Sequence, residues 1–338
     1  MKKAILCCAL MLTIVMISEP HVRQWMIDSA RSLTREGQTS WQEDESLSFS
    51  EQIGSHDTTD MLDVTLYYRF ENTQTLGAQR AQLDIRREET VATSIVQRLI
   101  DGPAISYDRL HGLFPQGTQL VSVTGEDTTA FVTLTRGFLG KPDGAPADWE
   151  DSFAWQEEAA LRRRMAVQSI VLSLTEGGRF QRVQMYVADS DDDIPERIPM
   201  YYFDPYMSDA VTVLAASPRD EAAMLTPRKA MEMILEAWKA SDYDMLYALM
   251  APDGENNLPS QNVFETQMMD RDISLLVYDM TDGTVSLDGQ TATMVVNAQI
   301  RSREGGDAQI IRESVPLVRV KDNWAITEDT LQSLMIRD

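Results

Sequence analysis

Ala166-Val167-Gln168-Ser169-Ile170-Val171-Leu172-Ser173-Leu174-Thr175-Glu176 decides how this sequence folds. Val167, Ile170, Val171 and Leu174 fall at i, i+3, i+4 and i+7, the spacing that lines one side of an α-helix. The helical pattern begins near Trp155, and Gly177-Gly178 supplies its stop. Arg182 to Val187 then alternates polar and apolar residues, as a half-buried strand does. A long helix returning straight into a strand calls for further strands beside it, so the reading extends outward from here.

Upstream, Val64-Thr65-Leu66-Tyr67-Tyr68-Arg69-Phe70 reads as a strand, and Gln79 to Ile85 as a second. Glu88 to Ile100 places Val91, Ile95 and Leu99 on one helical face, and Asp101-Gly102-Pro103 ends it. After Phe114-Pro115-Gln116-Gly117-Thr118, Gln119 to Val123 and Ala130 to Thr135 alternate around Gly125-Glu126-Asp127, a β-hairpin. A Gly, Pro and Asp-rich excursion, Gly137 to Asp151, leads into the long helix, where Arg162-Arg163-Arg164 reads as a solvated patch. Strands, helix, hairpin, helix and strand make an α+β domain over 61–190, with helices over a mixed sheet.

These residues resemble the GerMN domain of bacterial sporulation and germination proteins. The similarity lies in the first strand with its paired aromatics Tyr67-Tyr68, the Gly102-Pro103 helix end, and Leu113-Phe114-Pro115-Gln116-Gly117-Thr118 opening the next strand. Ala166 to Glu176 matches the A-x-x-S-I-V-x-x-L-T-E segment, and Val183-Gln184-Met185-Tyr186-Val187 the closing strand. Val187-Ala188-Asp189-Ser190 departs from the family, which has a Gly-bearing turn there. That departure touches the geometry of the domain's end.

Downstream, 191–225 is Pro-rich and acidic, with Ile194-Pro195, Ile198-Pro199 and Asp204-Pro205, and reads as an extended connector with Tyr201-Tyr202-Phe203 packed back on a domain. A second domain is expected over 226–338. Thr226 caps a helix with Pro227 at its first position, and Ala230, Met233, Ile234, Ala237 and Trp238 form its apolar face. A shorter helix, Tyr243 to Met250, and a helical turn near Val263 to Met269 follow. Strands are then expected at Ile273 to Met280, Thr284 to Leu287, Thr291 to Arg301, Gln309 to Val320 and Trp324 to Thr327. Helices followed by an antiparallel meander resemble the NTF2-like or cystatin-like α+β cone.

The chain has 338 residues, 43% hydrophobic and 25% charged, enough for two domains with real cores. Its net charge of -23 repels phosphate backbones, so nucleic acid is excluded as a partner class. Lys2 and Lys3 precede an apolar run from Ala4 to Ser18, which points the following chain out of the cytoplasm. As a helix the run spans about 22 Å against a hydrocarbon core of about 30 Å, which suits a signal peptide. No small-x-small cleavage triplet follows, which suits an uncleaved anchor, so 1–22 is either a signal peptide or a signal anchor holding the protein to the membrane. A lipoprotein cysteine at Cys7 or Cys8 fits less well, because the apolar run lies after them. Residues 23–60 are polar and aperiodic and read as a flexible stalk, although Trp25, Met26, Trp41 and Phe49 could make a short membrane-surface segment. The chain is thus expected outside the cytoplasm, anchored or secreted.

Both cysteines lie in the leader, which leaves none for a thiol nucleophile, zinc site or disulfide in the folded part. His21 and His56 fall in leader or stalk, and His111 stands alone as a loop residue, so no histidine pair serves a metal. Asp189, Asp191, Asp192 and Asp193 resemble the start of a calcium loop, but Ile194 holds its glycine position and Met200 its final glutamate. No phosphate loop or nucleophile elbow occurs. Trp238, Tyr243, Tyr247 and Tyr278 could line a pocket in the cone, yet at helical spacing such aromatics pack in cores. The 19 methionines read as core filler.

No catalytic residue, cofactor site or metal site is therefore expected, and the chain is read as non-enzymatic. The resemblance implies an interaction or assembly module of a spore-forming bacterium, with envelope or sporulation proteins as partners. It also implies possible oligomers, since GerMN domains are similar in layout to ring-building domains. The alternative is an extracytoplasmic small-ligand-binding protein using the C-terminal cone.

Overall fold

The computed structural model describes residues 60–85, 90–190, 192–253, 257–271, 273–302 and 305–335. The expected leader and stalk, with Cys7, Cys8, His21 and His56, lie outside the described residues. Among the described residues, no helix is long and apolar enough to cross a membrane.

Strand β1 (Asp60–Phe70) pairs antiparallel with β2 (Leu76–Ile85), Tyr67 opposite Ala78. Helix α1 (Val91–Asp101) starts later than its periodicity predicts, because the Thr90 side chain accepts from Thr93 N–H and fixes the first turn. It buries Ile95, Val96 and Leu99 and ends at Gly102, whose φ of 93° suits glycine. The two-residue strand β3 (Leu110–His111) completes a first sheet, β2-β1-β3. Next come the expected hairpin, β4 (Leu120–Glu126) and β5 (Thr129–Thr135), then α2 (Phe153–Thr175) and β6 (Arg182–Ala188), which runs parallel to β5.

The fold class is α+β as expected, but the strands form two sheets here, not one. The second contains β4, β5 and β6, and α2 packs against β1 of the first sheet and β6 of the second. Enclosure on both sides buries Met165, Ala166, Val167, Ile170, Val171, Leu172 and Leu174, so α2 carries no single apolar stripe over this stretch. Leu66 to Phe70 are likewise buried without alternation, under α1 and α2.

The segment expected to be a connector is joined to the second sheet. Strands β7 (Glu196–Arg197) and β8 (Ser217–Pro218) both pair with β6, and Ile198 and Phe203 are buried between them in sequence. Proline at 195, 199 and 218 confines these to short edge pieces.

Helix α3 (Pro227–Ala240) is capped by Thr226, whose Oγ1 accepts from Lys229 N–H at 3.2 Å. Its buried side holds Ala230, Met231, Ile234, Leu235, Ala237 and Trp238, while Met233 is only partly buried. Helix α4 (Tyr243–Ala248) stops before Met250, which joins β9 (Met250–Ala251) instead, and α5 (Gln261–Met269) follows. The meander is β10 (Ile273–Val285), β11 (Thr291–Ser302), β12 (Gln309–Val320) and β13 (Asn323–Thr327), in the sheet order β10-β11-β12-β13-β9. Two strands were expected where β10 runs unbroken. Gly283 makes this possible: a Cβ there would lie 2.3 Å from Met294 Sδ, at the register shift between Thr281 and Thr284. A final helix, α6 (Glu328–Met335), was not expected. Buried residues from β1 through α6 form one continuous cluster, and Thr59–Asp338 is one compact unit.

Candidate functional site

The long helix α2 positions most of the polar groups that the N-terminal part buries. Ser169 and Ser173, one turn apart, face the side of β1 that the short β3 does not reach. Ser169 Oγ donates to the Tyr67 carbonyl at 2.5 Å, and Tyr67 N–H donates to Ser173 Oγ at 3.2 Å. The serines of the motif therefore act as a substitute strand for β1. Burial, with the charge of Glu176 3.0 Å from its hydroxyl, pushes the Tyr67 phenol up to about 12.

The arginine run is only partly a solvated patch: Arg164 is exposed, but the middle arginine is not. Arg163 is buried and donates to the carbonyls of Leu139 (2.7 Å), Gly140 (3.1 Å) and Tyr202 (3.1 Å). Its guanidinium also faces the Trp149 and Tyr202 rings at 5.7 and 5.4 Å. Desolvation lowers its pKa to about 10, which still leaves it charged at neutral pH. Arg164 donates to the Phe203 carbonyl, and Arg162 pairs with Glu158 at 2.7 Å and donates to the Asp143 carbonyl at 2.8 Å. Each arginine thus ties the 137–151 excursion or the 199–206 segment onto α2. Backbone carbonyls concentrated at the turns of those segments explain the capture.

The histidine and aromatics weighed as candidates do not converge. His111 lies on β3, about half exposed, with Nε2 3.5 Å from Glu71 Oε2. Trp238 and Tyr243 are buried in the core. Tyr247 packs on Phe264 and donates to the Pro259 carbonyl at 2.8 Å. Tyr278 lines a groove, an open space of about 270 Å³ between α3 and β10 that is also lined by Arg228, Glu232, Met233 and Glu236. Its hydroxyl donates to Glu236 Oε1 at 2.7 Å, and burial together with that carboxylate raises its pKa further above the usual phenol range. Arg228 is engaged with Asp282 at 2.6 Å across the same groove. Its polar groups are thus paired with one another and do not converge on an empty centre.

In the acidic turn, Asp189 pairs with Arg136 at 3.2 Å and Asp193 accepts from Ser190 Oγ at 3.0 Å, while Asp191 lies outside the described residues. Among the described residues, no three His, Cys, Asp or Glu side chains gather as a metal would require.

Sequence reasoning missed the seam between the N-terminal and C-terminal parts. The β12–β13 turn, Lys321-Asp322-Asn323, lies against β2 and the segment before β3. Lys321 Nζ is 3.0 Å from Asp108, Tyr107 OH donates to Asp322 Oδ2 at 2.7 Å, and Asn323 bonds the backbone of Ala78. Arg109 faces the Tyr247 ring at 5.3 Å across the same seam. The only sequence signal was a hairpin turn with no glycine.

Residues 65–193 match the family model described as Germane, sporulation and spore germination. No curated protein matches the chain significantly. Among solved structures, the tandem GerMN domains of the sporulation protein GerM from Bacillus subtilis are 21% identical over 43% of this chain and 48% of that one, with a TM-score of 0.28. The chain therefore spans about half of that structure. The first GerMN domain of the same protein is 16% identical over 47% of this chain and 98% of that one, with a TM-score of 0.30. The C-terminal part matches a dehydratase of the NTF2-like family from Streptomyces avermitilis, 20% identical over 29% of this chain and 86% of that one, with a TM-score of 0.21. The chain carries, over residues 65–193, a domain of the Germane family of sporulation and spore germination.

Proposed function

We propose that this is a non-enzymatic, extracytoplasmic protein of a spore-forming bacterium, which serves sporulation or germination by binding envelope or sporulation proteins through its Germane domain. The family match over 65–193 is the observation that carries the reading. The Lys2-Lys3 pair before the apolar run supports export, with the leader either cleaved or kept as an anchor. The acidic charge supports protein partners over nucleic acid.

Support for a binding role also comes from the state of the titratable groups. Tyr67, Tyr68, Tyr107 and Tyr278 all have pKa values pushed upward, away from the range where a phenol exchanges protons at neutral pH. The aromatics that would have formed a ligand pocket are mostly core, which favours the protein-binding reading over small-ligand capture.

Disruption of the gene in the source organism tests the proposal. Heat-resistant spore yield or germination rate is expected to fall while vegetative growth is unchanged. Normal sporulation and normal germination in the disrupted strain would contradict it.

A further inference from the structure

Arg163 is a buried cation, 6% exposed, and its contacts leave one edge of the guanidinium unfilled. The Trp149 and Tyr202 rings lie at its faces, and its two terminal nitrogens reach the Leu139, Gly140 and Tyr202 carbonyls. All of these acceptors are neutral. The remaining donor, Nε–H, is buried and has no partner among the described residues. An orphaned donor on a buried charge opposes folding, and the same burial lowers the pKa of this group.

Arg163 also lines a small cavity between α2, the segment 112–115 and the turn at 140–143. The cavity has room of about 10 Å³, roughly that of one water-sized sphere, so a polyatomic anion such as sulfate or phosphate is too large for it. Leu113, Phe114, Pro142 and Ala159 supply buried apolar walls.

Positive charge is in excess around the cavity. Arg69 and Arg162 both contact Glu158 Oε1, at 2.8 and 2.7 Å, so a single carboxylate oxygen serves two arginines. Glu150 acts on Arg163 through its charge without a hydrogen bond to it. Asp143, the one acidic residue in the lining, is exposed and gives its carbonyl to Arg162 at 2.8 Å.

We infer that this cavity binds a single monoatomic anion, chloride in ordinary solution, which accepts from Arg163 Nε–H. Water would fill the space and satisfy the donor but leave the charge uncompensated, whereas an anion does both. The ion gives up its own hydration on entry, and its attraction to a desolvated guanidinium, stronger at low dielectric, offsets that loss. Once bound, it strengthens the clasp by which Arg163 holds the 137–151 and 199–206 segments on α2.

Crystals of the full chain grown in bromide test the site, because anomalous scattering tells bromide from water. A bromide peak within hydrogen-bond reach of Arg163 Nε is expected. Urea unfolding, with chloride replacing gluconate at constant ionic strength, gives a second readout. The wild-type folding constant is expected to rise about tenfold for each tenfold rise in chloride once the site is mostly filled, since gluconate is too large to enter. Arg163→Leu should lose this response. Ala159→Val, which narrows the cavity and keeps the guanidinium, should weaken it and serves where the leucine variant does not fold. A water at Nε in the bromide crystals would overturn the inference. So would bromide there without any chloride dependence in solution, an adventitious ion only, or an undiminished chloride response in a folded Arg163→Leu chain.

Discussion

Replacing Ser169 and Ser173 together with alanine is expected to lower the unfolding free energy by about 2–5 kcal/mol. Both hydroxyls serve Tyr67, and the bonds lie in the buried contact between α2 and β1. Alanine leaves a backbone N–H and a carbonyl without partners where water is excluded, each worth about 1–3 kcal/mol. The helix itself gains slightly, since alanine has the better propensity, so the loss reports on the contact with β1. Chemical denaturation checks this. Ser333→Ala, at an exposed position in α6, should stay within about 0.5 kcal/mol of the wild type. If the serine double variant were equally undisturbed, α2 would not be completing the first sheet.

Arg163→Leu is expected to cost about 2–4 kcal/mol, through three carbonyls left without their shared donor. The depressed pKa shows that burial of the charge opposes folding, and the carbonyl and aromatic contacts offset that cost. Arg163→Lys should recover only part of the loss, because one ammonium on a flexible stem cannot present the planar fork that spans Leu139, Gly140 and Tyr202. Limited proteolysis gives a second readout. Cleavage within 139–151 or 200–206 should appear in Arg163→Leu before general unfolding, since those segments lose their tie to α2. A variant as stable and as resistant as the wild type would show that the guanidinium is only tolerated there.

Local pattern carried much of the fold. The period of α1, α2 and α3, the Thr226-Pro227 start and the hairpin around Gly125-Glu126-Asp127 are short-range signals, and each element appears in the expected region, α1 with a later start. The strands β3, β7 and β8 have two residues each and exist only through partners distant in sequence, so no period could reveal them. Arg163 was misread because charge in a helix usually marks solvent, and only the turns at 139–140 and 202 supply the carbonyls that make burial possible. Ser169 and Ser173 did leave a trace: two hydroxyls four residues apart inside an otherwise apolar run form a polar line on one face. Trp238 and Tyr243 look alike to a pattern whether they line a cavity or fill a core, and the packing of α3 and α4 decides for the core.

The central proposal is that the protein serves its role by binding and carries no reaction centre. Complementation of a disrupted strain with single-site variants tests that most directly. His111→Gln, Tyr247→Phe and Tyr278→Phe remove each candidate proton-transfer group while keeping its size, and each should restore spore formation and germination as fully as the wild-type gene. The Ser169→Ala and Ser173→Ala double variant, which weakens the Germane domain, should restore less. A variant among the first three that folds with wild-type stability yet fails to complement would contradict the account.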